Sequence, residues 1–312
     1  MVVCPRSHLP ADLEARLPVA RHRSVDRPRA PTPDLGAAEG EHVSTNFEQE
    51  TAVEHVGGQR FVATVDKRWW VVRGPHGGYL ASIALRALKQ TLDDPKRHVR
   101  SFTIHYFDAP HEGEITIDVQ IERSGRSITN ASARLTQDDR PIGVALGVFS
   151  KPWTGPEFFD ALPPEIGPLD AAFKIPNEGP NIPPFLGNFD MRWALGAAPY
   201  SGADEAIVGG WFRLEEPQIA DDIVVATYMD AWPPVMFPIV TDPMVAPTLD
   251  LTIHFRRELP LPDTSADDHY IGRFYSHMSH EGFFEEDGEL WTRDGVLVAQ
   301  SRQLALSLPI RT

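Results

Sequence analysis

The sequence has 312 residues, of which 42% are hydrophobic, enough for one large or two medium globular domains and too many for a wholly disordered protein. The formal net charge of -15, from 44 acidic and 29 basic residues, argues against nucleic acid as a partner, because a phosphate backbone attracts basic surfaces. The single cysteine, Cys4, cannot form an internal disulfide, and no run of about 18 apolar residues could span a bilayer. We therefore expect a cytoplasmic protein without a membrane span.

Residues 1–45 combine Arg, Pro and Asp without a sustained period. This pattern predicts a disordered leader or a start site assigned too early. Asp12, Glu14 and Asp26 weaken a third interpretation, a transit peptide, because such peptides are poor in acidic residues.

Residues 46–152 predict one domain in which a helix packs on a sheet. The helix is expected over 79–92, where apolar residues recur at 3.6-residue spacing and form a stripe wide enough to be wrapped by strands. Strands are expected both before it (59–65, 69–72) and after it (99–107, 114–124, 127–137, 141–150). One helix followed by an antiparallel meander is an α+β pattern.

Residues 153–185 are rich in Pro and Gly and are expected to be an interdomain linker, after which residues 186–312 repeat the first half. The second helix is predicted over 222–232. Its strands are predicted over 189–195, 206–214, 249–256, 269–277, 281–293 and 295–308. The segment TIHYF at Thr103 matches TIHF at Thr252, an offset of 149 residues. Two such copies predict a pseudo-twofold pair whose sheets join edge to edge.

Asp230 interrupts an otherwise apolar helical pattern in DIVVATYMDAWPPVMF. It shares the stripe expected to face the core, and Trp232-Pro233-Pro234 is expected to end or kink the helix just beyond it. A carboxylate in such a place must find hydrogen-bond donors or shift its pKa, so it is a candidate site residue. The alternative is that Asp230 merely caps the turn made by the two prolines.

Gln303 is an amide among small and apolar neighbours on the last predicted strand. Period two places it on one face with Leu297, Ala299, Ser301 and Ala305. A buried amide needs a partner, and it either belongs to the site or is a core glutamine bonded to backbone.

Three further segments carry a family resemblance over residues 47–308. They are Pro75-His76-Gly77-Gly78-Tyr79 with its helix, Arg100-Ser101-Phe102, and Asp294-Gly295-Val296-Leu297-Val298-Ala299. In this order and spacing the chain resembles the acyl-CoA thioesterase II (TesB-like) family. The resemblance implies a double hotdog, α+β, with two tandem hotdog domains that each wrap an antiparallel sheet around a central helix.

The resemblance also implies site residues. An Asp on the second hotdog helix, a Thr at the start of the next strand and a Gln on the last strand would hold the hydrolytic water; by position these are Asp230, Thr248 and Gln303. The residues alone give Thr248 little weight, because it alternates with Asp250, Thr252 and His254 on a polar face.

The segment His76, Gly77, Gly78 and Tyr79 is predicted to bind substrate. Backbone N–H groups at a helix N-terminus favour the negative charge of an oxyanion. Turn formation and tight helix packing would explain the same glycines equally well, and His76 is also explained as a turn residue.

The function implied is hydrolysis of fatty acyl-CoA to free acid and CoA without metal or cofactor. The alternatives are a non-catalytic acyl-CoA-binding protein and, with less support, an enoyl-CoA hydratase, since neither helix carries an Asp followed closely by His. The first repeat offers Ala81 in place of Asp230 and Gly147 or Val148 opposite Gln303, so we expect one active constellation per chain. The exposed edge of a hotdog sheet can pair with a second copy of the chain, which would give a homo-oligomer.

Overall fold

The computed structural model describes residues 46–179 and 182–309, so the predicted leader at 1–45 lies outside the described residues. Three α-helices are present in this part of the chain: α1 (Asn46–Glu50), α2 (Gly77–Leu92) and α3 (Asp222–Tyr228). None of these described helices is long and apolar enough to cross a membrane.

The strands of the first half follow the predicted meander closely. They are β1 (Glu54–Gly57), β2 (Arg60–Val65), β3 (His98–Tyr106), β4 (Gly113–Ser124), β5 (Ile128–Gln137) and β6 (Arg140–Ser150). Those of the second half are β7 (Phe173–Lys174), β8 (Phe189–Leu195), β9 (Ile207–Leu214), β10 (Met244–Val245), β11 (Thr248–Phe255), β12 (Tyr270–Tyr275), β13 (Ser279–His280), β14 (Phe283–Trp291), β15 (Leu297–Leu306) and β16 (Leu308–Pro309).

The two halves join through their sheets. Fourteen of the described strands form one antiparallel sheet, in the order β1-β2-β4-β5-β6-β3-β11-β15-β14-β12-β9-β8-β7 with β13 beside β14. At the junction of β3 and β11, Thr103 lies opposite Thr252, and their hydroxyl oxygens are 2.9 Å apart. Since these residues are 149 positions apart, the pseudo-twofold relation and the edge-to-edge pairing predicted from the repeat are confirmed.

The helices α2 and α3 pack against each other. α3 is buried along its whole length, and α2 is buried from Gly78 to Leu85 and at Ala87 and Leu88. Ser82 meets Thr227 at the crossing, a separation of 145 residues. Equivalent residues of the two halves meet at the pseudo-twofold axis. The helices are therefore related by an offset of 145 residues and the strands by an offset of 149 residues.

α3 is shorter than predicted. It ends at Tyr228, and the chain continues in tighter turns. The N–H of Asp230 donates to Thr227 O and the N–H of Ala231 donates to Tyr228 O, each at a distance of 3.3 Å. Bonds to the third preceding residue are typical of a tightened helix end. Asp230 thus lies just beyond the helix rather than on its core-facing stripe.

Two other segments differ from the prediction. The strand predicted over 69–72 does not form. A 3-10 helix (Lys67–Trp69), capped by the Asp66 side chain, which accepts a hydrogen bond from the N–H of Arg68, takes its first residue, and Trp70 makes only an isolated bridge to Pro75. β7, within the predicted linker, pairs with β8 and extends the sheet edge. The predicted limits of the linker and of the hotdog domains stay predictions.

Candidate active site

Asp230 presents its carboxylate to the N-terminus of α2. The N–H of Gly78 donates a hydrogen bond to Asp230 Oδ2 at 2.8 Å, and the nearby N–H of Gly77 also acts to lower the pKa of this carboxylate. The first N–H groups of a helix have no partner within it and favour negative charge. The carboxylate from one half of the chain is therefore held by the helix of the other half.

His76 holds the backbone of the same aspartate. Its Nδ1 accepts a hydrogen bond from the N–H of Tyr79 over 3.2 Å, which makes His76 the N-cap of α2. The proton then resides on Nε2, which donates to the Asp230 carbonyl oxygen over 2.7 Å. The ring is buried and stacks on Phe185. Contact between His76 and substrate stays a prediction.

The environment of Asp230 suits a base. Its side chain is 10% exposed, so it is nearly withdrawn from water. Burial raises the pKa of Asp230, while His76 and the N–H groups of Gly78 and Gly77 act to lower it. A carboxylate with a raised pKa binds a proton more strongly than an ordinary aspartate, as proton abstraction from water requires.

Gly77 packs against this carboxylate at a distance that only glycine allows. A Cβ there would lie 2.7 Å from Asp230 Oδ2 and 3.2 Å from the hydroxyl oxygen of Tyr106. That hydroxyl donates to Gly77 O over 2.8 Å. Burial raises the pKa of Tyr106 well above its usual range, so the group remains a donor at neutral pH.

Thr248 and Gln303 are hydrogen-bonded to each other, the Thr248 hydroxyl donating to Gln303 Oε1 over 2.8 Å. The predicted inward face of the last strand is confirmed at Gln303, which is 7% exposed. Thr248 does not share the face of Asp250 as its alternation predicts. A β-bulge between the two residues turns Thr248 to the inner face, opposite Ala305.

Glu286 extends this pair into a chain of polar groups and was missed by the sequence analysis. It lies opposite Gln303 on β14 and is 2% exposed. Gln303 Nε2 donates to Glu286 Oε1 over 2.6 Å, and the N–H of Val235 donates to Glu286 Oε2 over 3.0 Å. The sequence pattern could have predicted that Glu286 is buried, because Glu286 alternates along the strand with the buried Phe284 and Leu290.

Glu286 also links the two groups of predicted catalytic residues. Burial raises its pKa to about 8, and the nearby charge of Asp230 acts in the same direction. The structure thus joins Thr248 to Gln303 directly, and Glu286 connects Gln303 to the segment after Asp230 through its hydrogen bond from Val235.

Tyr79 points away from Asp230. Its ring is fully buried and stacks on Trp69 with ring centroids 4.9 Å apart. Its hydroxyl binds Glu50 O over 2.8 Å and Thr64 O over 3.0 Å, and accepts from the N–H of Asp66 over 3.2 Å. These contacts tie α2 to the neighbouring backbone, and contact between Tyr79 and substrate stays a prediction.

The first half carries apolar residues at the equivalent positions. The helix offset of 145 relates Asp230 to Leu85 rather than to the expected Ala81, and the strand offset of 149 relates Thr248 to Val99. Through the matching strand registers, Gln303 corresponds to Gly147 and Glu286 to Ala131. Each chain thus has a single polar constellation of this kind among its described residues.

Two protein-family models match the chain, one in each half. A model of the acyl-CoA thioesterase N-terminal domain matches residues 66–150, and a model of the acyl-CoA thioesterase C-terminal domain matches residues 160–307. None of the curated proteins matches the chain.

Solved structures share the fold over nearly their whole length. A hot dog fold protein of unknown function from Alicyclobacillus acidocaldarius has 21% identity and a TM-score of 0.76, over 85% of this chain and 98% of that one. A protein provisionally described as thioesterase II from Thermobifida fusca YX has 24% identity and a TM-score of 0.72, over 84% and 97%. The acyl-CoA thioesterase II TesB2 of Mycobacterium marinum has 20% identity and a TM-score of 0.68, over 84% and 98%. The predicted double hotdog is confirmed.

Proposed function

Because the chain belongs to the acyl-CoA thioesterase II (TesB-like) family of double hotdog proteins, we propose that it hydrolyses fatty acyl-CoA to free fatty acid and CoA. The observation that carries the proposal is the nearly buried Asp230 carboxylate at the N-terminus of α2. Thioester hydrolysis needs a proton acceptor for water, a fixed position for that water and support for negative charge.

Asp230 is the base in this mechanism. Its Oδ2 accepts from Gly78, which leaves Oδ1 to accept a proton from water. Water adds to the thioester carbon as its proton passes to Asp230. The carbon–sulfur bond then breaks, and Asp230 returns the proton to the departing thiolate, so the carboxylate is regenerated.

Thr248 and Gln303 hold the water in line. The Thr248 hydroxyl donates to Gln303 Oε1, and its lone pairs remain free to accept from water. One N–H of the Gln303 amide is bound by Glu286, so the second remains to bind water or the carbonyl oxygen. The partial positive charge of the α2 N-terminus favours the developing anion.

The test is release of free thiol from saturated acyl-CoAs of several chain lengths, with acyl carrier protein thioesters as a second set. Wild type is compared with Asp230→Asn and with Asp242→Asn, which changes an exposed carboxylate later in the same segment. We expect Asp230→Asn to lose about a hundredfold or more in kcat, as for removal of a general base, and Asp242→Asn to retain wild-type activity. Folded wild type that releases no thiol from any substrate would contradict hydrolysis and favour acyl-CoA binding alone.

A further inference from the structure

Glu286 is a buried carboxyl group whose two hydrogen-bond partners among the described residues are both donors. Oε1 accepts from Gln303 Nε2 and Oε2 accepts from the N–H of Val235. Val235 lies five residues after Asp230, and Gln303 lies on β15, so one side chain connects the segment that carries the base to the strand that carries the amide.

The orientation of the Gln303 amide depends on this carboxyl group. An amide offers an acceptor on one side and two donors on the other. With Glu286 accepting from Nε2, Oε1 must face the Thr248 hydroxyl, as it does. Without an acceptor at 286, the reversed amide would satisfy Thr248 equally well, since a hydroxyl both donates and accepts.

The hotdog fold itself does not require a carboxyl group here. The equivalent position in the first half is Ala131, which is fully buried opposite Gly147. Burying an ionisable group is costly, and the same architecture is built there from two small residues. The cost at Glu286 therefore points to a role in the site.

We propose that Glu286 is a positioning residue that fixes the orientation of the Gln303 amide and anchors the segment following Asp230. This inference rests on the proposed hydrolysis and adds a group that acts on the water only through Gln303. Replacement of Glu286 by Gln would keep its shape but offer only one acceptor to two donors, so that the Gln303 amide would turn over in part of the molecules.

Ionisation of Glu286 gives the inference a distinctive signature. The charged groups acting on it are Asp230 and Asp287, and the carboxylate of Asp287 is itself bound by Arg302 over 2.6 Å. Burial, assisted by these two carboxylates, raises the pKa of Glu286 to about 8. Its hydrogen bonds from Gln303 and Val235 strengthen when it ionises, so the amide is held more firmly as pH rises through this value.

The experiment compares wild type, Glu286→Gln and Glu286→Asp by kcat and KM between pH 6 and 9.5, corrected for spontaneous hydrolysis. The matched control is Glu285→Gln, the preceding residue, which belongs to the other face of β14 and accepts from the N–H of His277. Above about pH 8, where the wild-type carboxylate accepts from both donors, we expect Glu286→Gln to lower kcat about tenfold to a hundredfold with KM changed less than about twofold. The rise in wild-type kcat near pH 8 should disappear in Glu286→Gln and persist in Glu286→Asp, which also recovers part of the rate.

A second measurement does not depend on turnover. In protein labelled with ¹⁵N-glutamine, the Gln303 side-chain amide signals are assigned by their loss in Gln303→Leu and followed as pH is raised. A chemical-shift change centred near pH 8 in wild type, absent from Glu286→Gln, supports the positioning role. Absence of thioester hydrolysis would contradict the proposed function but not this result. The inference is overturned if folded Glu286→Gln keeps wild-type kcat, pH profile and Gln303 amide signals.

Discussion

The hydroxyl oxygens of Ser82 and Thr227 lie 2.6 Å apart where α2 and α3 cross, and both side chains are fully buried. Ser82 donates its proton to Ile223 O at 2.7 Å, so Thr227 donates to Ser82, and Gly78 O lies 3.3 Å from the Thr227 hydroxyl oxygen as its second acceptor. Since the N–H of Gly78 donates to Asp230, the hydroxyl pair sets the helix crossing that brings the α2 N-terminus to the carboxylate.

Removing either hydroxyl should leave the other with one partner fewer. We expect Ser82→Ala and Thr227→Val each to lower the free energy of unfolding by about 0.5–1.5 kcal/mol, the net contribution of a lost hydrogen bond. The double variant should lose less than the sum, because both single losses include the same Ser82–Thr227 contact. Urea unfolding of the four proteins gives the coupling energy, with Thr241→Val as an exposed control; strictly additive losses would contradict the pairing.

Gly77 offers a test of the carboxylate position. In Gly77→Ala the new methyl group would lie 2.7 Å from Asp230 Oδ2, and a displacement of about 1 Å in a catalytic group can cost a hundredfold in rate. We therefore expect kcat to fall about tenfold to a hundredfold, measured by thiol release.

Two other glycines serve as controls for this substitution. A Cβ at Gly155 meets nothing within 4 Å, so Gly155→Ala should change neither rate nor stability. A Cβ at Gly78 would meet Thr227 O at 2.7 Å and its Cα at 3.0 Å, so Gly78→Ala should destabilise by about 1–3 kcal/mol through overpacking. Gly77→Ala with wild-type kcat would show that the carboxylate is free to move.

Residue spacing alone predicts the helix, the meander and the repeat of the two halves, whereas the double hotdog is implied by the family resemblance. Asp230 and Gln303 stand out since each is polar among apolar neighbours. The inward turn of Thr248 depends on a β-bulge, which adds a residue to the spacing and is invisible to strict alternation. The correspondence of Asp230 with Leu85 depends on how two distant helices cross, and therefore required the structure. Glu286 could have been found by applying to β14 the alternation used for β15.

The variant Tyr79→Phe tests whether Tyr79 binds substrate or only stabilises the fold. Tyr79→Phe keeps the stack on Trp69 but removes the hydroxyl that binds three backbone groups. We expect the free energy of unfolding to fall by about 1–3 kcal/mol, with kcat and KM for the best acyl-CoA unchanged within about twofold. Thermal unfolding and steady-state kinetics provide the two readouts. A large rise in KM without loss of stability would instead support the prediction that Tyr79 binds substrate.

Glu286 should make stability depend on pH in a predictable direction. Its pKa is raised from 4.5 to about 8 in the folded protein, so between these values the folded state binds a proton that the unfolded state has lost. By linkage, this contribution is fully present below about pH 4.5 and is lost as pH rises toward 8, by up to about 1.4 kcal/mol per pH unit. Urea unfolding of wild type and Glu286→Gln from pH 5 to 9 isolates the effect, because the other titrating groups are common to both proteins. Wild type should lose stability relative to Glu286→Gln up to about pH 8 and run parallel to it above that pH, whereas parallel curves over the whole range would show that Glu286 titrates normally.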